Sequence, residues 1–292
     1  MPNVSVAHRI LQLPFPKVII WKLYRPYVDF MFRRELKARL GPYFVSTLGV
    51  PTPPKELVLE TGAVNREHFE NMFRRGHGFA DRYYAVGRSV ILNWLRMLQR
   101  HSFNIRTMGA VLDFGCGTGR LLQHFRHIHG IRIVGTDANP KMTEWCSRHI
   151  QGAEFFCNDL EPPLSFAEDE SFDLVYAFSV FTHIPIDFQR PWLSEMRRIL
   201  RPGGFLLCTV AGAWLQNMFV RPEHLAELSA KGYVQYSSAD EPASLSTQVG
   251  GSGWDIYQPR SEVIRIFGSE LTLLDYVPGA QDLLFLQKPR SV

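Results

Sequence analysis

The sequence holds only four cysteines in 292 residues, at positions 116, 146, 157 and 208. None forms a Cys-x-x-Cys pair and their spacing suggests no disulfide framework. That argues against a structural zinc site, a redox dithiol and a stapled secreted scaffold. No metal is expected. Long apolar runs are also lacking, and nothing approaches the roughly 20 apolar residues a helix needs to cross a bilayer. Residues 1–13 carry neither the apolar core nor the small-residue cleavage site of a secretory leader. The expectation is a cytoplasmic protein with reduced, mostly buried thiols. Net charge is small, +4, and unevenly placed: residues 1–50 hold eight Lys or Arg against two acids, so the other 242 are nearly neutral at −2. A nucleic-acid-binding domain carries a basic working surface. This chain does not, which disfavours DNA as a partner.

What is present is a hydrophobic content of 46%, enough for one large α/β domain. Strand-like segments near 110–114, 131–136, 153–157, 172–178 and 204–210 alternate with helical ones, and 271–277 and 283–287 read as two last strands. Such alternation specifies a parallel sheet with helices on both faces. The most informative segment is Val111-Leu-Asp-Phe-Gly-Cys-Gly-Thr-Gly-Arg120. It reads as a buried strand entering a glycine-rich turn and then a helix. Gly115, Gly117 and Gly119 differ in spacing from the G-x-G-x-x-G that cradles a pyrophosphate. Asp113, two residues ahead, would repel a pyrophosphate but suits a ligand bearing an ammonium and a sulfonium. S-adenosylmethionine is such a ligand.

With its following elements, this segment resembles the class I S-adenosylmethionine-dependent methyltransferases. Ile131-Arg-Ile-Val-Gly-Thr-Asp137 is similar to the second strand, ending in an acid, and Ala153-Glu-Phe-Phe-Cys-Asn-Asp159 to the third. Ser171–Ser179 resembles the fourth strand and Leu200–Cys208 the turn into the fifth. The resemblance implies a seven-stranded Rossmann-like sheet of order 3-2-1-4-5-7-6 with the last strand antiparallel. It also implies S-adenosylmethionine as cofactor and S-adenosylhomocysteine as product. The implied cofactor contacts are Asp113, Gly115, Cys116, Gly117, Thr118 and Gly119 at the turn, Asp137 at the ribose, and Ala138 and Asn139 flanking the adenosine. Asn158, Asp159 and Leu160 would bracket the adenine, with Phe178 and Ser179 towards the methyl group.

Phe178-Ser-Val-Phe-Thr-His-Ile-Pro185 should border the transferable methyl. It lacks the Asn/Asp-Pro-Pro-Tyr/Phe motif that holds a planar amino group, which speaks against nucleobase or amide methylation. It resembles instead the small-molecule branch of the family. His183 is the candidate base, weighed evenly against a cap or packing role before a helix at 187–199, which Asp187 would cap. Further acceptor-side candidates are Tyr83, Tyr84, Trp254, Asp255, Tyr257 and Gln281. Residues 1–105 read as an N-terminal helical extension and 106–292 as the cofactor-binding domain, with a substrate-shaping insertion at 211–260. The insertion is expected to hold a helix near 221–231 and a glycine-rich loop. Further helices are expected near 65–75 and 82–101. Residues 17–40 form a basic, aromatic helix pair, read first as packing on the catalytic domain as a lid or homo-oligomer contact and second as peripheral contact with an anionic membrane. The function expected is methylation of a small, lipid- or sugar-linked acceptor, at oxygen first. Nitrogen or sulfur methylation, or a non-catalytic cofactor-binding partner protein, are the alternatives.

Overall fold

The computed structural model describes residues 27, 30–35, 37–39, 53–54, 79–101, 103–104, 107–237, 254–279 and 281–290. Helix α1 (Phe79–Arg100) precedes β1 (Ala110–Phe114), followed by α2 (Leu122–Phe125), β2 (Arg132–Asp137), α3 (Pro140–His149) and β3 (Glu154–Cys157). Next come β4 (Phe172–Ala177), α4 (Ile186–Ile199), β5 (Leu200–Val210) and α5 (Ala213–Phe219). A 3₁₀ turn at Pro222–His224, α6 (Leu225–Lys231), β6 (Val234–Ser237), β7 (Trp254–Tyr257), α7 (Arg260–Phe267), β8 (Thr272–Val277) and β9 (Asp282–Gln287) complete the order.

Seven strands form one sheet in the order β3-β2-β1-β4-β5-β9-β8. The first five run parallel, and β9 lies antiparallel to both neighbours. This is the expected topology, with β8 and β9 as sixth and seventh strands because the hairpin β6–β7 takes two numbers. Every residue of β1 is buried, as a parallel strand covered on both faces requires. On one face α4 and α7 supply Trp192, Met196, Val263 and Phe267 to the core. On the other, α1, α2 and α3 supply Trp94, Leu98, Leu122, Phe125 and Cys146. Each such side chain contributes on the order of 1.5–3 kcal/mol, so these two layers hold the sheet and fix where its strands end.

Helices α1 and α4 lie within three residues of their expected bounds, while 65–75 falls outside the described residues. Pro185 occupies the N-cap of α4 and makes no side-chain cap bond. Asp187 therefore sits inside the first turn and is not the expected cap. From the N-terminal segment, residues 30–35 and 37–39 are helical. Phe32 packs edge-on against His124 at 5.3 Å. Glu35 accepts from Arg96 at 2.6 Å, and Arg39 donates to Gln99 at 2.8 Å. This helix thus packs along α1.

The insertion differs from expectation. Two helices stand where one was expected, and a hairpin follows in which Val234 pairs with Tyr257 and Ser237 with Trp254. Each strand has four residues and lies 16 positions from its partner, too short and too distant for any turn signal to betray the pairing. The glycines at 250, 251 and 253 lie outside the described residues.

Candidate active site

Parallel strands present their carboxyl ends on one edge, where ligands of open α/β sheets bind. At the end of β1 the chain reverses tightly. Gly115 and Cys116 both donate their N–H to Thr136 O, each at 2.8 Å. Gly115, Gly117 and Gly119 have φ of 74°, 51° and 71°, a left-handed region costly for other residues. A Cβ on Gly115 would also overlap Val180, and one on Gly119 would overlap Ile150. These glycines are thus required twice, by conformation and by space.

Asp137, at the end of β2, accepts the Gly117 N–H at 2.8 Å and the Asn139 N–H at 2.9 Å on its two oxygens. Burial raises its pKa, and those two N–H groups pull it back. A carboxylate has about four lone-pair sites, so Asp137 ties the turn to β2 and keeps capacity for a vicinal diol. Asn139 caps α3, its side chain accepting from the Lys141 N–H at 3.0 Å. Beyond β3, Thr136 Oγ1 donates to Asn158 Oδ1 at 2.8 Å, and the Trp192 indole donates to Leu160 O at 3.1 Å. Ala138 is partly exposed and its carbonyl accepts from the Cys157 thiol at 3.7 Å. Asp159 and Leu160 are exposed. Together they form an open rim beside the carboxylate.

Asp113 is different. It is 2% exposed, and its Oδ2 has no hydrogen-bond partner. It pairs in register with Tyr176 of β4, whose buried hydroxyl is the neighbouring donor to the carboxyl. Burial pushes the Asp113 carboxyl up to about 8. Tyr176 opposes that shift, the nearby Asp137 charge adds to it, and the Arg120 charge opposes it. A buried carboxyl oxygen with no donor is a site for a cationic donor. The ammonium of S-adenosylmethionine meets that need and its ribose meets that of Asp137, so the residues present fit this cofactor. The Cys116 and Cys146 thiols both point at Gly117 O, at 3.5 and 3.3 Å, and Thr118 is buried; these side chains shape the turn from behind.

At the end of β4, Ser179 adopts φ of 61°. Its N–H donates to Thr209 Oγ1 at 2.7 Å, the Thr209 hydroxyl to Gln281 Oε1 at 2.6 Å, and Gln281 Nε2 to Ser179 Oγ at 2.7 Å. This closed ring joins the ends of β4 and β5 to the start of β9. Phe178 lies edge-on to Trp94 at 6.0 Å and beneath the Arg120 guanidinium at 5.5 Å. His183 follows on the same loop. Its Nδ1 lies 2.9 Å from Trp254 O and 3.2 Å from Asp255 Oδ1. Both partners are acceptors, so Nδ1 carries the proton and Nε2 of the neutral ring keeps a lone pair. Asp255 is buried. The hairpin bearing it is pinned to the His183 loop by Ile256 N–H to Thr182 O at 2.9 Å.

The Methyltransferase domain family model matches residues 112–208, from β1 through most of β5. That stretch thus forms a methyltransferase domain of the S-adenosylmethionine-dependent, Rossmann-like class. A phthiotriol/phenolphthiotriol dimycocerosates methyltransferase of Mycobacterium ulcerans is 35% identical over 209 residues, covering 70% of this chain and 66% of that one. An O-methyltransferase of Aspergillus sclerotiorum is 30% identical over 148 residues, covering 48% of this chain and 53% of that one. This chain thus spans between half and two thirds of those relatives' lengths. Among solved structures, the 1,6-didemethyltoxoflavin-N1-methyltransferase of Burkholderia thailandensis is 15% identical with a TM-score of 0.49, covering 84% of this chain and 95% of that one.

The sheet brings Asp113, Asp137, Asn158, Ser179, His183 and Gln281 to one edge, and the hairpin adds Trp254 and Asp255. Tyr257 is instead buried in a satellite cluster against Tyr236, at 5.8 Å. Tyr83 and Tyr84 fall in the first turns of α1, their side chains outside the described residues. Sequence reasoning passed over Thr136, Tyr176 and Thr209. Tyr176 had a signal, since aligning β1 with β4 puts it beside Asp113. The Thr209–Gln281 contact had none, because it depends on the antiparallel register of β9.

Proposed function

We propose that the protein methylates an oxygen of a small, lipid- or sugar-linked acceptor, with S-adenosylmethionine as donor and His183 as base. The observation that carries this reading is the His183 ring, whose Nδ1–H is engaged by Trp254 O and Asp255. When bound, S-adenosylmethionine supplies an electrophilic methyl group on a sulfonium, displaced in line with a neutral thioether leaving. Asp113 receives the ammonium and Asp137 the ribose hydroxyls. The turn backbone from Gly115 to Gly119 wraps the donor, Ala138 and Asn139 flank the adenosine, and Asn158, Asp159 and Leu160 border the adenine. Phe178 and Ser179 close the side nearest the methyl.

The acceptor hydroxyl must lose a proton as its oxygen bonds to carbon, and His183 Nε2 takes it. Asp255 acts through His183, holding the tautomer and steadying the imidazolium that forms. Trp254 and Gln281 face the acceptor, while Tyr257 holds the hairpin from behind. The relative named as an O-methyltransferase supports oxygen as the acceptor atom.

The test is methyl transfer from labelled S-adenosylmethionine into host extract split into aqueous, lipid, polysaccharide, protein and nucleic-acid pools. Label should enter one small-molecule or lipid pool. His183→Ala should slow that transfer by about 10²–10⁴-fold, the usual contribution of a general base, while S-adenosylhomocysteine binds as before. An unchanged rate removes His183 from the chemistry. Binding without label in any pool favours a cofactor-binding partner protein.

A further inference from the structure

Helix α5 leaves its larger apolar side chains outside, with Leu215 alone packed against the satellite cluster. A helix on a soluble domain turns its apolar stripe inward, yet no residue of α5 is buried. Trp214 and Met218 are 51% and 52% exposed, with Phe219 beside them and Leu225 at the start of α6 also exposed. Its polar Gln216 faces the body instead, donating to Gln258 O at 2.6 Å and Ala211 O at 3.1 Å. The helix begins three residues after β5 ends, so this apolar stripe stands at the carboxyl edge of the sheet, beside the donor site.

The N-terminal helix brings a second patch to the same edge. Phe32 touches His124, just past the glycine turn, and Glu35 and Arg39 meet α1 progressively farther along at Arg96 and Gln99. Phe30 therefore stands towards the carboxyl edge, 61% exposed, and Tyr27 is exposed as well. Phe30, Arg33, Arg34 and Lys37 are all exposed at spacings i, i+3, i+4 and i+7, one stripe opposite the packed Phe32. Among the described residues, every exposed large aromatic (Tyr27, Phe30, Trp214 and Phe219) lies at this edge.

We infer that this edge docks on an anionic phospholipid bilayer, Trp214, Met218, Phe219 and Phe30 entering the interface while Arg33, Arg34 and Lys37 meet the headgroups. Aromatic side chains paired with cations on an exposed helical stripe match the two layers of such a surface. A second copy matches less well, since burying Arg33, Arg34 and Lys37 in a protein contact costs desolvation that lipid headgroups spare them. Docking here turns the donor site towards the bilayer. It does not depend on His183 acting as a base.

Flotation of the full chain with vesicles of phosphatidylcholine, alone or mixed with phosphatidylglycerol, tests the inference. The chain should float with the mixed vesicles, at least about tenfold more tightly than with phosphatidylcholine alone, and salt should weaken the difference. Arg33→Glu with Arg34→Glu should erase the preference for phosphatidylglycerol. Trp214→Ser with Met218→Ser should lower partitioning into both vesicles. Both variants should keep wild-type thermal stabilisation by S-adenosylhomocysteine, which shows that they fold. The inference is overturned if the wild type stays unbound with mixed vesicles, or if both variants float as the wild type does. It is equally overturned if the wild type forms a dimer that Trp214→Ser with Met218→Ser dissociates, without vesicle binding.

Discussion

A carboxyl buried away from water holds its proton, and burial pushes Asp113 up to about 8 in the ligand-free protein. In the unfolded chain the same group ionises near 3.8. Between those values the native state binds more protons than the unfolded one, so this residue makes the ligand-free protein less stable as pH rises through that window. An ammonium placed on Asp113 reverses the preference and expels the proton. Affinity for S-adenosylhomocysteine should therefore climb with pH by up to about tenfold per unit below 8. It should fall again at higher pH, once the ligand's own amine loses its charge. Calorimetric titration across this range, in buffers of different ionisation enthalpy, reads both the affinity and the released proton. Asp113→Asn should bind weakly with a flat acidic limb. An acidic limb that persists in this variant would assign the proton to another group.

Among the elements, the loop after β4 carries the strain. Ser179 sits at positive φ without being glycine, a conformation that costs about 1–2 kcal/mol and persists only where neighbours enforce it. The enforcing group is Thr209, which accepts the Ser179 N–H and donates to Gln281. Thr209→Val keeps the shape and removes both bonds, leaving the Ser179 N–H without its acceptor. The loss should be about 1–3 kcal/mol in denaturant unfolding, and a change below about half a kcal/mol, the range of neutral surface substitutions, would show that the ring carries no strain. The parts of this region differed in how readily they could be read from the sequence. The strand Ser171–Ser179 and the helix after it show as an apolar run and a periodic one, because both faces of β4 and one face of α4 are covered. His183 stood out as a base candidate from its place alone. That Asp255 orients it was invisible, since four-residue β6 and β7 meet across 16 intervening positions and nothing local marks the register that aims Asp255 at the ring.

For the whole molecule, one edge gathers groups from β1, β2, β3, β4 and the start of β9, so a ligand seated there ties together segments as far apart as Asp113 and Gln281. Binding to the native state alone stabilises it by about 2.7 kcal/mol at a ligand concentration one hundred times Kd. For a chain of this size that corresponds to a rise in Tm of about 4–5 °C. Asp137 is where this coupling concentrates, because its two oxygens hold Gly117 of the turn and Asn139 of the next loop and the same carboxylate is assigned to the ribose. Asp137→Ala should abolish most of the rise with S-adenosylhomocysteine. It should lower the ligand-free Tm only slightly, since both freed N–H groups border an open site and reach water. Asp159→Ala, at the exposed rim, should lose far less of the rise. Differential scanning calorimetry of both variants separates the assignments: a full ligand-induced rise in Asp137→Ala would remove the ribose role, and equal losses in the two would mean that the carboxyl edge attracts the ligand by charge rather than holding it by geometry.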